Sequence, residues 1–238
     1  MNADFSSIAR YYDAMYVDPE AYREEAAQII ELCERYGRPQ SRTLLDIACG
    51  TGEQSLHLSR RFSVTGLDLS PEMLQAARAK LPEASFLEGD MFRFQLDRRF
   101  DIVLNLYGSI GFASDTGELS AGIRRAWEHL EPGGLFLLTP WDTQETFQEK
   151  ILTGSGLRGG IHFCRMEAVR RVSPRKVQVD MRHLVGQDGE ITALRHQQSI
   201  TLFSETEYRS ALTEAGFRLR ARLNEDQFRM GAFVCTKD

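Results

Sequence analysis

The chain has 238 residues, 42% of them hydrophobic and 26% charged, enough for one sizeable domain with a small excursion and a core that needs no staples. Its 29 basic and 34 acidic side chains leave a net charge of −5, which argues against a nucleic-acid binder relying on a broad positive field. Cys33, Cys49, Cys164 and Cys235 form no CxxC pair, no stretch approaches membrane-spanning length, and the N-terminus lacks the apolar run of a signal peptide. The expectation is a cytoplasmic protein with no metal site, disulfide framework, membrane span or nucleic-acid partner.

Residues 1–40 read as a helical cap. Tyr11, Tyr12 and Tyr16 form an aromatic cluster, and Asp18-Pro19 has the pattern of an N-cap followed by proline. A helix is predicted from Glu20 to Tyr36, ended by Gly37-Arg38-Pro39. Strands and helices then alternate. Strands are predicted at Thr43–Ala48, Phe62–Asp68, Ser85–Glu88, Asp101–Leu106 and Leu135–Thr139, the last after a Pro132-Gly133-Gly134 turn. Between them lie helices at Glu53–Arg60, from Pro71 to Lys80 with Ser70 as cap, and at Glu118–Leu130. This rhythm implies an α/β fold whose mostly parallel sheet is covered on both faces.

The rhythm breaks after Pro140. Gly154-Ser155-Gly156 and Gly159-Gly160 bracket an expected loop, and strand-like stretches follow near 161–172, 176–185 and 191–203. Val177, Val179 and Met181 alternate with polar residues, the period of a half-exposed antiparallel strand. Residues 154–203 therefore read as an inserted antiparallel sheet, a substrate lid or a dimerisation surface. The main domain, 41–153, resumes over 204–238. Ser204 and Glu207 are spaced as a capping box, Gly216 stops that helix, and strands near 217–223 and 229–236 bring the main sheet to seven.

The most informative stretch is Leu44 to Gly52, a buried strand entering a helix through Gly50 and Gly52. Glycines there let a ligand touch backbone, and the helix N-terminus offers unpaired N–H groups. By itself this is also the pattern of any tight strand-to-helix turn. Asp68, at the end of the second strand, is placed to accept hydrogen bonds from ribose hydroxyls. Asp90, at the end of the third, is placed to accept one from an adenine amine. Three strand ends facing one crevice point to a nucleoside. The GxGxxG fingerprint is incomplete, Glu53 would repel a pyrophosphate, and no Gly-Lys-Ser/Thr follows. S-adenosyl-L-methionine, which is cationic and phosphate-free, meets none of these conflicts.

At this point the chain resembles the class I S-adenosylmethionine-dependent methyltransferases. Asp46–Gly52, Gly66–Ser70, Glu88–Met91 and Glu131–Gly134 stand where that family has its recurrent motifs. Within the class it is most similar to N-methyltransferases that dimethylate amino groups of nucleotide-linked sugars. Gly108–Gly111, Pro140-Trp141 and Ile200–Phe203 are among the matching segments. The resemblance implies a Rossmann-like seven-stranded sheet and S-adenosyl-L-homocysteine as product. It also implies that Ala48, Gly50 and Gly52 cradle the methionine portion, and that Asp68 with Leu69 holds the ribose. Asp90 and Met91 would read the adenine, Leu106 would lie against the cofactor, and Tyr12 and Tyr22 would reach it from the cap. Some aminosugar enzymes carry a tyrosine in the early cap and a histidine after the fourth strand; Phe5 and Phe112 stand here instead.

For the acceptor, Tyr107, Phe112, Trp141, Asp142 and His162 are the pocket candidates, with Glu145 a further proton acceptor, while His57 and His129 read as structural. A neutral amine needs no strong base, whereas an alcohol acceptor does. From Arg158 to His183, six arginines and one lysine oppose Glu167 and Asp180, a local +5 that reads either as a solvated sheet face whose charges never converge or as a field steering an acceptor amine that bears an anionic group. The expectation is N-methylation of a small molecule by a possible homodimer. O-methylation of a carboxylate or hydroxyl, and a non-catalytic cofactor-binding module, are the alternatives.

Overall fold

The computed structural model describes residues 5–238, so the first four positions of the expected cap lie outside the described residues. Two helices open the chain, α1 (Ser6–Tyr16) and α2 (Pro19–Tyr36). Asp18 caps α2 as its spacing predicts, its carboxylate accepting from the Glu20 and Ala21 amides at 3.1 and 3.4 Å.

The main unit alternates β1 (Thr43–Ile47), α3 (Glu53–Leu58), β2 (Ser63–Asp68), α4 (Pro71–Lys80), β3 (Ser85–Glu88) and β4 (Phe100–Asn105). After a 3₁₀ turn at Ser109–Phe112 come α5 (Thr116–Glu128) and β5 (Leu130–Leu138). Later in the chain, α6 (Glu205–Ala215), β10 (Phe217–Leu223) and β11 (Ala232–Lys237) complete this unit. The seven strands lie in the order β10-β11-β5-β4-β1-β2-β3, all parallel except β11, which runs antiparallel to both neighbours. The order reverses between β1 and β4, the crevice where open α/β sheets bind ligands.

Every residue of β1 after Thr43 is buried because helices cover both faces. Leu45, Ile47, Val103 and Phe136 pack under α5 and α6, against Leu119, Ile123 and Leu212. Leu44, Ile102, Leu104 and Leu137 pack on the other face against Ala26, Ile29 and Leu58. The Ser204–Glu207 capping box forms, the Ser204 hydroxyl accepting from the Glu207 amide and the Glu207 carboxylate from the Ser204 amide.

Three expectations need correction. Pro132–Gly134 is not a turn before the fifth strand but a bulge within β5, whose pairing with β4 jumps from Phe100↔Leu130 to Ile102↔Leu135. Helix α5 begins before Glu118 because the Asp115 carboxylate caps it, accepting from the Glu118 amide at 3.0 Å. Gly154–Gly156 is not a loop. It lies inside an extra strand, so the second sheet has four: β6 (Lys150–Arg158), β7 (Ile161–Ser173), β8 (Lys176–Gln187) and β9 (Glu190–Thr201), in chain order. A side chain at Gly154 would meet Arg165, and one at Gly156 would meet the Phe163 ring, both on the paired strand. Glycine serves close cross-strand packing there.

No described helix is long and apolar enough to cross a membrane. The second sheet and α1 pack together through Ile8, Met15 and Val185, with Phe5, Tyr12, Tyr16 and Phe163 around them.

Asp101 sets the register of the central strands. Its Oδ2 accepts from the Arg42 amide, the Thr43 amide and the Thr43 hydroxyl at 2.9, 3.0 and 2.9 Å. Burial raises this carboxyl's pKa, but those donors and Arg38 outweigh it and hold it below the ordinary value. A depressed pKa stabilises the fold above the unfolded value, near 4, and the contribution is lost as pH falls through the folded value. Asp101→Ala should therefore cost about 1–2 kcal/mol at pH 7 in denaturant unfolding, with the gap to the parent closing below about pH 4.

Candidate functional site

A cavity of about 340 Å³ opens at the carboxyl ends of β1, β2, β3 and β4, roofed by α1 and closed on one side by the second sheet. Its floor is the turn after β1. Ala48, Gly50 and Gly52 have positive φ angles of 59°, 55° and 73°. The two glycines have different tasks. At Gly50 a Cβ would meet nothing within 4 Å, so the backbone presents a bare surface to the cavity. At Gly52 a Cβ would lie 3.0 Å from that of Ala77 and 3.3 Å from the Phe86 ring. Gly52 thus lets α3 approach α4 and does not line the cavity, unlike Ala48 and Gly50.

Asp68, at the tip of β2, ties this floor together. Its Oδ2 accepts from the Gly50 amide at 2.8 Å and its Oδ1 from the Ser70 amide at 2.9 Å. Burial pushes the carboxyl up, and the backbone donors at Ser70, Gly50 and Leu69 pull against it. A carboxylate has about four acceptor sites, so it retains capacity toward the cavity. Asp90, after β3, caps its own turn through the Phe92 amide at 2.9 Å while lining the same space as Met91, Leu69 and Leu106. Asp46, quoted from sequence only as part of a motif, also lines it. Burial raises its carboxyl to about 7 despite the Ser55 hydroxyl donating at 2.6 Å.

Helix α1 is fastened to the floor. Asp13 accepts from the Thr51 hydroxyl at 2.5 Å and pairs with Lys80 at 2.8 Å, and Lys80 also holds Glu53 at 2.6 Å. Tyr12, beside Asp13, is half-buried in the roof, and its hydroxyl is pushed up to about 12 by desolvation and the Asp13 charge. Tyr22 and Tyr107 pack with ring centroids 5.2 Å apart. The Tyr107 hydroxyl donates to Glu25 at 2.7 Å and sits 3.2 Å from the Gln54 amide oxygen. Tyr107 is therefore part of the wall beside α3, not of the wall formed by Phe112 and Trp141.

The second sheet faces a largely apolar wall: Phe5, Phe112, Trp141, Met181 and Ile200, with Tyr16 and Gln198. Phe5 meets Phe112 edge-on with centroids 6.3 Å apart. The β-sheet alternation in 176–203 carried the signal for Met181, Gln198 and Ile200, yet which face looked inward depended on where α1 docks. Asp142 does not reach the cavity. It pairs with Lys150 at 3.1 Å. His162 lies exposed on the outer face of β7, and Glu145 is exposed as well. His57 and His129 are structural. His57 sits 3.3 Å from Glu53, and buried His129 accepts from the Leu96 amide at 2.8 Å.

The basic residues of 158–183 do not converge on the site. Arg165 pairs with Glu167, Arg182 with Asp180 and Arg175 with Glu207. Lys176 bonds Ser114 and Thr201, and Arg171 lies over Phe147. None lines the cavity. Among the described residues no group of three or more His, Cys, Asp or Glu is placed to hold a metal.

The cavity fits S-adenosylmethionine on its own chemistry. A bare backbone turn, two carboxylates on neighbouring strand tips and an aromatic roof suit an adenosine joined to a cation. The Gln54 amide nitrogen, buried and without a partner, offers a donor beside the turn.

Comparison with known proteins agrees. Residues 44–134 match a family model described as a methyltransferase domain. The chain is 37% identical over 218 residues to the dTDP-3-amino-3,4,6-trideoxy-alpha-D-glucopyranose N,N-dimethyltransferase of Streptomyces venezuelae, covering 89% of this chain and 90% of that protein. The crystal structure of Streptomyces venezuelae DesVI superposes with a TM-score of 0.88 at 31% identity, covering 100% of both chains. The S-adenosylmethionine-bound amino pentose methyltransferase CalS10 of Micromonospora echinaspora superposes with a TM-score of 0.83 at 29% identity, over 100% of this chain and 99% of that one. The chain belongs to the S-adenosylmethionine-dependent methyltransferases, alongside the small-molecule N,N-dimethyltransferases.

Proposed function

We propose that the acceptor is the amino group of a nucleotide-linked amino sugar. The observation that carries this is the apolar wall of the second sheet. Met181, Gln198 and Ile200 of that sheet, with Phe5, Tyr16, Phe112 and Trp141 beside them, carry no carboxylate or imidazole, and Glu118, which also lines the cavity, is engaged by the Ser114 amide. A hydroxyl acceptor needs a base in reach, whereas a neutral amine attacks without one. The relatives named above, which act on amino sugars, support the same choice.

The cofactor supplies a methyl group made electrophilic by the neighbouring sulfonium. The protein's task is alignment and exclusion of water. Asp68 and Asp90 fix the nucleoside end, the Gly50 backbone leaves room for the amino-acid end, and Tyr12 closes the roof. Phe5, Phe112 and Trp141 shield the transfer and offer ring faces to a developing ammonium. The proton of that ammonium then leaves to solvent.

The outer face of the second sheet supports a homodimer. Leu157 of β6 and Ile191 of β9 share one cross-strand row, and Ile151, Met166 and Leu184 share their face, each more than half exposed. Such a patch on one sheet face fits a second copy of the chain. The four free cysteines suit a reducing compartment, consistent with a cytoplasmic enzyme.

Incubating the chain with S-adenosylmethionine and a dTDP-linked amino sugar should yield product heavier by one or two methyl groups in mass spectrometry. Methylation of a hydroxyl analogue in place of the amine would overturn the reading. Asp68→Asn is expected to weaken S-adenosylhomocysteine binding about tenfold or more by calorimetry, because its remaining oxygen cannot serve both backbone and ribose. Unchanged affinity would remove Asp68 from the cofactor site. Light scattering should give twice the 27.1 kDa chain mass, and Leu184→Asp should return the monomer. A parent that scatters as a single chain would contradict the dimer.

A further inference from the structure

Three side chains of β9 point from the second sheet toward the active cavity and α1. Gln198 and Ile200 line the cavity, and His196 lies buried against Phe5 with centroids 4.6 Å apart. Gln198 stands opposite Val179 of β8. Around it, Val179, Ile200, Met181, Phe112 and Trp141 belong to one apolar cluster. Within this setting the Gln198 amide oxygen is buried and accepts no hydrogen bond from any described residue. Buried polar atoms nearly always have partners, and an unpaired one weakens the fold. The other polar group on this wall is already engaged, the Tyr16 hydroxyl lying 2.7 Å from His183 Nε2.

We infer that Gln198 determines acceptor specificity: its amide oxygen accepts a hydrogen bond from an N–H or O–H of the acceptor beside the nitrogen to be methylated. The inference deepens the amino-sugar reading and rests on it. An apolar wall orients a ligand poorly, since dispersion contacts are non-directional, and one hydrogen bond at a fixed place selects a single approach of the amine. A site built around such a group also rejects ligands with no donor at that position, because binding them leaves the amide unpaired.

The test compares the parent enzyme with Gln198→Leu and Gln198→Glu, using the dTDP-linked amino sugar the parent turns over. Gln198→Leu has nearly the same size and removes the orphaned acceptor. It is expected to raise the acceptor KM about tenfold or more. S-adenosylhomocysteine affinity should stay within about twofold, and the melting temperature should hold or rise, since no internal hydrogen bond is lost. Gln198→Glu, which keeps an acceptor oxygen, is expected to recover most of the lost KM. An unchanged KM in Gln198→Leu overturns the inference, as does a fall in melting temperature with parallel losses in cofactor and acceptor affinity, the signature of a purely structural residue. A parent that methylates no amino sugar overturns the acceptor reading itself, and this inference with it, before any variant is compared.

Discussion

The hydrogen bonds from Gly50 and Ser70 to the two oxygens of Asp68 hold the site together. They join the turn after β1 to the start of α4, so that two neighbouring strand tips share one rigid edge. The carboxylate is half-buried, which strengthens these bonds, and it keeps acceptor capacity toward the cavity it lines. Without them the positive-φ turn at Gly50 would keep only the Cys49 amide bond to Leu67 and the Thr51 hydroxyl bond to Asp13 as outside restraints.

The rest of the molecule builds on that floor. Asp13 and Lys80 clamp α1 across the turn, which brings Tyr12 over the cofactor space and Phe5 and Tyr16 against the second sheet. The sheet then contributes Met181, Gln198 and Ile200 to a largely apolar wall. The strand-tip end of the cavity is polar and charged while the end against the second sheet is largely apolar, a division suited to a reaction in which the donor brings the charge and the acceptor arrives neutral. Phe5 and Phe112 give this wall no hydrogen bonds of their own but still shape the approach, and alignment supplies much of the rate in a displacement of this kind.

Much of this was legible in the chain. Helix caps at Asp18, Ser70 and Ser204, the strand rhythm from 43 to 139 and the acidic strand tips follow from local chemistry, so they survive folding unchanged. Asp68 and Asp90 meet in one cavity because parallel strands place their carboxyl ends side by side. Long-range docking was harder to read. Glycines at Gly154 and Gly156 resemble a loop until the neighbouring Arg165 and Phe163 are known to lie over them. His162 and Asp142 carry suitable chemistry, yet strand parity turns His162 outward and Lys150 holds Asp142 aside. Likewise Arg165, Arg175, Arg182 and Arg195 are paired with Glu167, Glu207 and Asp180, the last two distant in sequence from at least one arginine they hold. Strand alternation could place Gln198 on a face but not mark its amide as unpaired, since an unpaired amide oxygen exists only once its surroundings are dry.

The most direct measurement is a crystal structure of the chain with bound S-adenosyl-L-homocysteine. Ribose hydroxyls within hydrogen-bond distance of the Asp68 carboxylate, an adenine amine at Asp90, and a sulfur directed toward Phe5 and Trp141 are the expected arrangement. Density for the nucleoside elsewhere, or a diphosphate lodged on the Gly50 turn, would contradict the assignment of these strand tips to a methyl donor.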